Sequence, residues 1–342
     1  MGAKCPIIGP MKTHTYPIIA FLMLLTFASA PAFPASAPPN PEYPRINPAP
    51  SYEVVEGWPQ KPPVIQWAAM PGVTIDGEGN IWMCTRKAPS VQVYAPDGRY
   101  LFGWGDMPGA HHIKIDNEGY VWTSDVHRHV IRKHKRDGEV LLTLGVEGEA
   151  GMDERHFFKP TDMAFASNGD IFVTDGYGNA RVIHFNKEGN YINAWGSLGT
   201  GNDQFSIPHA IVIDSKDRLY IADRNNARVQ VYDTGGKLLD SWKHLLVPWG
   251  FWITDKDEIW VCGSSTTVWS GALLGIPPKD QLVMKFNTDG KLLELHLFPK
   301  GDDGQEKPGE LNWVHGIALD AQGNLFLGDI NGKRLQKFLR RH

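Results

Sequence analysis

The sequence predicts an all-β fold, a six-bladed β-propeller, on three observations. A unit of apolar strand, Asp, turn with Gly or Asn, second strand, polar turn and third strand recurs six times. The equivalent first-strand positions are Pro71, His111, Thr161, His209, Trp249 and His315. Most steps between them are 40 to 50 residues, the length of one four-stranded blade. Helical periodicity is nearly absent.

The elements follow in order. Lys12 and His14 precede the apolar run 18–25, and Ala28-Ser29-Ala30-Pro31-Ala32 follows it. Residues 1–32 therefore read as a secretory signal cut after Ala32, which predicts a secreted or periplasmic chain. The apolar stretch is short of the ~20 residues a membrane span needs, so none is expected after cleavage. Residues 33–51, rich in Pro and Ala, read as a linker, and residues 52–342 as the propeller. The second strands are Ile81-Trp82-Met83, Tyr120-Val121-Trp122, Ile171-Phe172-Val173, Leu219-Tyr220-Ile221, Ile259-Trp260-Val261 and Leu325-Phe326-Leu327. Third strands end in an aromatic, as in Val91-Gln92-Val93-Tyr94 and Arg228-Val229-Gln230-Val231-Tyr232, and fourth strands often end in Trp104, Trp195 or Trp242. The fifth step is longer, with an insertion around Ser264 to Asp280. The last repeat stops after its third strand, so Tyr52-Glu53-Val54-Val55 is expected to supply the fourth and close the ring.

Composition narrows the partners. The formal net charge is -4 with both signs interspersed, which argues against nucleic acid. Cys5 lies in the expected signal, so Cys84 and Cys262 alone remain and no disulfide framework is expected.

Three histidines share one register in alternate repeats: Ala110-His111-His112-Ile113, Pro208-His209-Ala210-Ile211 and Val314-His315-Gly316-Ile317 align without a gap. In a ring of six blades they sit about a third of a turn apart. Three imidazoles converging on an axis form a metal site with an open fourth position. Zinc suits this ligand set, and iron or copper would take the same nitrogens. Just beyond the second strands, Arg86, Val126, Gly176, Arg224, Ser264 and Ile330 are register-equivalent and open on the same mouth, and Tyr177 follows Gly176. A guanidinium grips a carboxylate through a bidentate fork. A tyrosine beside cations favours its phenolate and can serve as a base. Blander readings stand beside these. Arg86 and Arg224 could instead pair with strand-end acids such as Asp223. Asp125, Asp175, Asp223 and Asp329 recur in every kind of blade and read as turn caps. His112, His127, His129 and His184 break the register and read as structural or surface groups, and Trp249 reads as a channel wall.

The stretches Pro160-Thr161-Asp162, Asp175-Gly176-Tyr177-Gly178-Asn179-Ala180-Arg181, Gln204-Phe205-Ser206-Ile207-Pro208-His209 and Ala222-Asp223-Arg224-Asn225-Asn226-Ala227-Arg228 resemble NHL-repeat propellers, and more narrowly the peptidyl-α-hydroxyglycine α-amidating lyases. The resemblance runs from about Tyr52 to the C-terminus. It implies a zinc on His111, His209 and His315, a catalytic Tyr177, and substrate-contacting Arg86 and Arg224. The implied reaction cleaves a peptide ending in α-hydroxyglycine to a peptide amide and glyoxylate. The resemblance also implies a structural calcium on the main-chain carbonyls of Val73 and Ile113, but the family's Asp ligand is Gly316 here, which argues against that ion. The segment before His315, Asn312-Trp313-Val314, departs from the family's Met-Pro lead. No stretch of the 342 residues reads as a copper monooxygenase domain, so none is expected within them. Two other readings remain open: a different metal-dependent propeller enzyme, acting on another α-hydroxy substrate or a lactone, and a non-catalytic NHL module that binds protein or glycan.

Overall fold

Most second and third strands are buried on both faces, so each is covered on both sides. A ring of radially stacked sheets meets that demand, because every blade is sandwiched between two neighbours. The computed structural model describes residues 51–266 and 279–341. The expected signal, nearly all of the expected linker, and the centre of the insertion after Ser264 lie outside the described residues.

Six four-stranded antiparallel sheets form six blades. Their innermost strands are Gly72–Ile75, Ala110–Ile115, Asp162–Phe165, Pro208–Ile213, Val247–Ile253 and Val314–Leu319. The sixth blade is composite. Ser51–Val54 pairs with the last strand, Leu335–Arg341, in the register Ser51↔Arg341 to Val54↔Phe338. The closing strand expected at Tyr52 to Val55 therefore joins the two ends of the propeller, one residue earlier than the sequence pattern suggested.

Each blade interface holds its own apolar cluster, giving six clusters around the ring. Blades four and five meet through Tyr220, Trp242 and Phe286, with ring centroids 5.4 and 5.7 Å apart. Outer strands face solvent and show it: in Leu292–Phe298, Leu293, Leu295 and Leu297 are exposed while His296 and Phe298 are buried.

The repeated acids are turn ties, as expected. Asp76 Oδ1 accepts the amides of Glu78 and Asn80, and Asp116 does the same for Glu118 and Tyr120. Gly79, Gly119, Gly169 and Gly323 complete such turns at φ of 81°, 85°, 89° and 80°, where a side chain would be strained. Asp175, Asp223 and Asp329 are buried and accept amides from the loop that enters their blade, at Phe158, Ser206 and Asn312. Asp223 also pairs with Arg228 at 2.6 Å, so the alternative pairing of Asp223 with Arg224 does not occur. Cys84 and Cys262 are buried free thiols, and burial pushes both up to about 12, so they serve as small apolar side chains.

Candidate metal centre and its cavity

The register position that carries the histidines lies within two residues of the start of each innermost strand. In blades two, four, five and six a bulge falls on it: the pairing shifts between Ala110 and His112, Pro208 and Ile211, Pro248 and Gly250, and Val314 and Gly316. A bulge re-aims one side chain. In three of these blades the skipped stretch holds a histidine; in the fifth it holds Trp249.

The three imidazoles meet. Ring centroids of His111, His209 and His315 are 4.8, 4.9 and 4.8 Å apart, and one ring nitrogen from each lies within 4.8 Å of the others. All three are buried. The alternating blades supply their partners. His111 Nδ1 donates to Thr161 O at 2.7 Å, His209 Nδ1 to Trp249 O at 2.6 Å, and His315 Nδ1 to Pro71 O at 2.7 Å. These acceptors are the other three members of the same register. A carbonyl can only accept, so Nδ1 carries the proton and Nε2 keeps its lone pair. Burial pushes all three well below the usual 6.5; neighbouring imidazoles and Arg86 or Arg224 push further the same way. Three neutral imidazoles with fixed tautomers and free Nε2 lone pairs are the donor set a zinc ion requires, with the outer hydrogen bonds already in place.

Tyr177 closes the group. Its hydroxyl lies 3.1 Å from His111 Nε2 and 2.9 Å from His209 Nε2, and accepts from Arg224 Nη1 at 3.3 Å. Gly176 permits this placement, because a Cβ there would sit 1.9 Å from the Pro208 carbonyl oxygen. Arg224 begins a single 3-10 turn, Arg224–Asn226, that follows the second strand of blade four. It is 2% exposed, its Nε and Nη2 have no hydrogen-bond partner, and its guanidinium lies 5.8 Å from the Trp313 ring. A buried cation with two unpaired donors beside a cavity is costly unless a further group satisfies them.

The cavity is about 280 Å³, lined by Arg86, Val126, His127, Lys159, Tyr177, Arg224, Trp313, His315 and Ile330. Arg86 thus joins the site, held by an Nε hydrogen bond to Ala110 O at 3.1 Å. Four of the six register-equivalent residues after the second strands line it: Arg86, Val126, Arg224 and Ile330.

Other members escaped sequence reasoning. Lys159 and Trp313 line the cavity, and both hold left-handed backbone, at φ of 65° and 82°. Trp313 had stood out only as a departure from the family lead. His127, read as structural or surface, is exposed at the cavity rim. Lys114 was missed altogether. Its ammonium reaches Asp162 Oδ2 and Met163 O, each at 2.8 Å, and also bonds Ile211 O. The available signal was a lone Lys in an apolar inner strand.

The calcium position lacks its carboxylate: Val73 and Ile113 lie in the inner strands of blades one and two, and Gly316 stands where the acid is expected. Among the described residues, the three imidazoles are the one group of three or more His, Cys, Asp or Glu able to hold an ion.

Comparisons agree with this architecture. A family model described as a 6-bladed beta-propeller matches residues 155–265. A solved structure titled "Streptogramin B lyase structure" superposes with a TM-score of 0.56 at 16% identity, covering 86% of this chain and 98% of that one, which supports the fold alone. A probable peptidyl-alpha-hydroxyglycine alpha-amidating lyase of Caenorhabditis elegans is 29% identical over 242 residues, 68% of this chain and 65% of that protein. Human NHL repeat-containing protein 3 is 30% identical over 209 residues, 56% of this chain and 60% of that protein. The chain is a six-bladed β-propeller resembling the NHL-repeat proteins and the amidating lyases. This propeller spans less than two thirds of the length of either curated relative.

Proposed function

We propose that this propeller is a metal-dependent carbon-nitrogen lyase acting on a carbinolamide of the peptidyl-α-hydroxyglycine kind. The observation that carries the reading is the convergence of three Nε2 lone pairs beside the Tyr177 hydroxyl and the two unsatisfied donors of Arg224. The name of the Caenorhabditis elegans relative supports it.

His111, His209 and His315 would hold the metal, with zinc the ion their chemistry favours. Such an ion supplies a Lewis acid that lowers the pKa of a hydroxyl. The chain's own groups do the rest. Arg224 and Arg86 orient the carboxylate that flanks the reacting carbon. Tyr177 Oη takes the proton of the α-hydroxyl. As the carbon-oxygen double bond forms, the carbon-nitrogen bond breaks, and its electron pair leaves on nitrogen. Tyr177 Oη, as phenolate before the step, then returns that proton to the nitrogen, so the products are an amide and glyoxylate, the base is regenerated, and no oxidant is needed. The burial of the three imidazoles limits the bulk water that reaches this centre. The proposal includes export of the chain, on the apolar run that precedes Ala32.

The test is glyoxylate release from a hydroxyglycine-terminated peptide. Tyr177→Phe should retain the metal and lose about 10²–10⁴ in rate, the usual worth of a general base. A Tyr177→Phe protein at full rate removes tyrosine from the chemistry. Lactone hydrolysis by a protein that leaves carbinolamides intact would favour a different propeller enzyme instead.

A further inference from the structure

The charges around the cavity exceed what one carboxylate needs. Arg86, Lys159 and Arg224 are basic side chains, and the lining contains no Asp or Glu. A small cleft of one sign, walled by Trp313, Val126 and Ile330, selects and attracts anions. The proposed reaction places one carboxylate next to the reacting carbon. Arg224 and Arg86 suffice for it, since both flank the histidines: Arg224 through Tyr177, and Arg86 through the carbonyl of Ala110, the residue before His111.

Lys159 is then surplus, and its backbone is held in place. Its amide donates to His129 Nδ1 at 3.1 Å, and its carbonyl accepts from the Tyr177 amide at 3.4 Å. Its φ of 65° is left-handed, which an L-residue adopts at a cost. Two residues on, Thr161 anchors His111. The turn that presents Lys159 is therefore tied both to the proposed base and to a proposed metal ligand. No acid pairs with the Lys159 ammonium among the described residues; it lies 5.9 Å from the exposed Phe158 ring and near His129.

We propose that Lys159 is a specificity-determining residue that receives a second anionic group of the substrate, on the arm attached to the scissile nitrogen. The inference rests on the lyase reading and sharpens it. The substrate is a small dianion: an α-hydroxyglycine whose acyl arm carries a carboxylate a few bonds from the carbinolamide. At about 280 Å³ the cavity lies at the small end of ligand sites, which suits such an arm. Lysine acts as a point charge, so it selects for charge without fixing the plane of the anion.

Two measurements test this together, on zinc-loaded full-length protein. The first compares glyoxylate release from N-succinyl-α-hydroxyglycine and N-butyryl-α-hydroxyglycine. The second compares calorimetric binding of malate and glycolate, which needs no turnover. Wild type should prefer the dianion by about tenfold or more in both. Lys159→Gln should bring both ratios close to one, and Lys159→Glu should invert them. Equal handling of both members of each pair by wild type, or ratios that survive Lys159→Gln, overturns the proposal. Glyoxylate release from both substrates without a preference sinks the second anionic subsite and leaves the lyase intact. A dianion preference in binding that Lys159→Gln abolishes, with no glyoxylate from either substrate, keeps the subsite and sinks the lyase.

Discussion

Lys114→Met isolates a contact that the fold needs and the proposed chemistry does not. The Lys114 ammonium links blade two to blades three and four through Asp162 Oδ2, Met163 O and Ile211 O. Asp162 is fully buried, and its remaining donors are the amides of Met163 at 2.8 Å and Ile211 at 2.9 Å. His112 Nε2, at 3.7 Å, is too far for a hydrogen bond. Methionine keeps the length of the stem and removes the charge. It strands one carboxylate and two carbonyls where water enters poorly. Breaking a buried pair from one side costs about 3–5 kcal/mol. The two surviving amides, and the 17% exposure of the Lys114 side chain, favour the lower end, about 3 kcal/mol. For a propeller of this size that is roughly 6 °C in Tm, at about 2 °C per kcal/mol. Adding Asp162→Asn to Lys114→Met should recover a good part of the loss, because the stranded charge disappears. Thermal unfolding of wild type, each single variant and the double variant is the assay. A Lys114→Met protein within 1 °C of wild type would refute the argument, and so would a double variant that unfolds as early as the sum of the singles.

Two more outcomes follow from the same structure. Metal-free protein should lose stability as the pH falls from about 6.5 towards 4. Burial holds His112 and His134 at about 4 in the fold, while unfolded histidines protonate near 6.5, so the unfolded chain gains protons first. Asp329, raised by burial to about 6, and Asp175 and Asp223, raised by the same cause, work in the opposite sense, but the five buried histidines His111, His112, His134, His209 and His315 outnumber them. A Tm that rises between pH 6.5 and 4.5 in the presence of chelator contradicts this. Gly176→Ala should lower both Tm and glyoxylate release, because its Cβ would meet the Pro208 carbonyl at 1.9 Å and the Tyr177 backbone must move. Wild-type rates in that variant would show that the placement of Tyr177 is not critical.

The fold was legible because each blade repeats its strand and turn chemistry, and because the stop after the third strand of the last repeat demanded a closing partner. The three histidines were legible for a related reason. A ring converts equal register into equal distance from the axis, so alternate repeats imply convergence. What the sequence concealed depends on contacts between blades. The acceptors Pro71, Thr161 and Trp249 act through their backbone carbonyls, which no side-chain pattern announces. Lys114 and Asp162 stand 48 residues apart and meet only because adjacent inner strands approach at the hub. Lys159 precedes the register position by two residues, and only its left-handed backbone and its turn bring it to the cavity. His127 broke the histidine register and was read as peripheral, yet the loop after the second strand of blade two puts it on the rim.

Metal content per chain tests the central claim most directly. Purified wild-type protein, loaded with zinc and freed of excess ion, should hold one equivalent, and His209→Ala should hold close to none while keeping its strand signature in circular dichroism. Wild-type protein that retains no metal, or a His209→Ala variant that retains a full equivalent, contradicts a centre built on His111, His209 and His315.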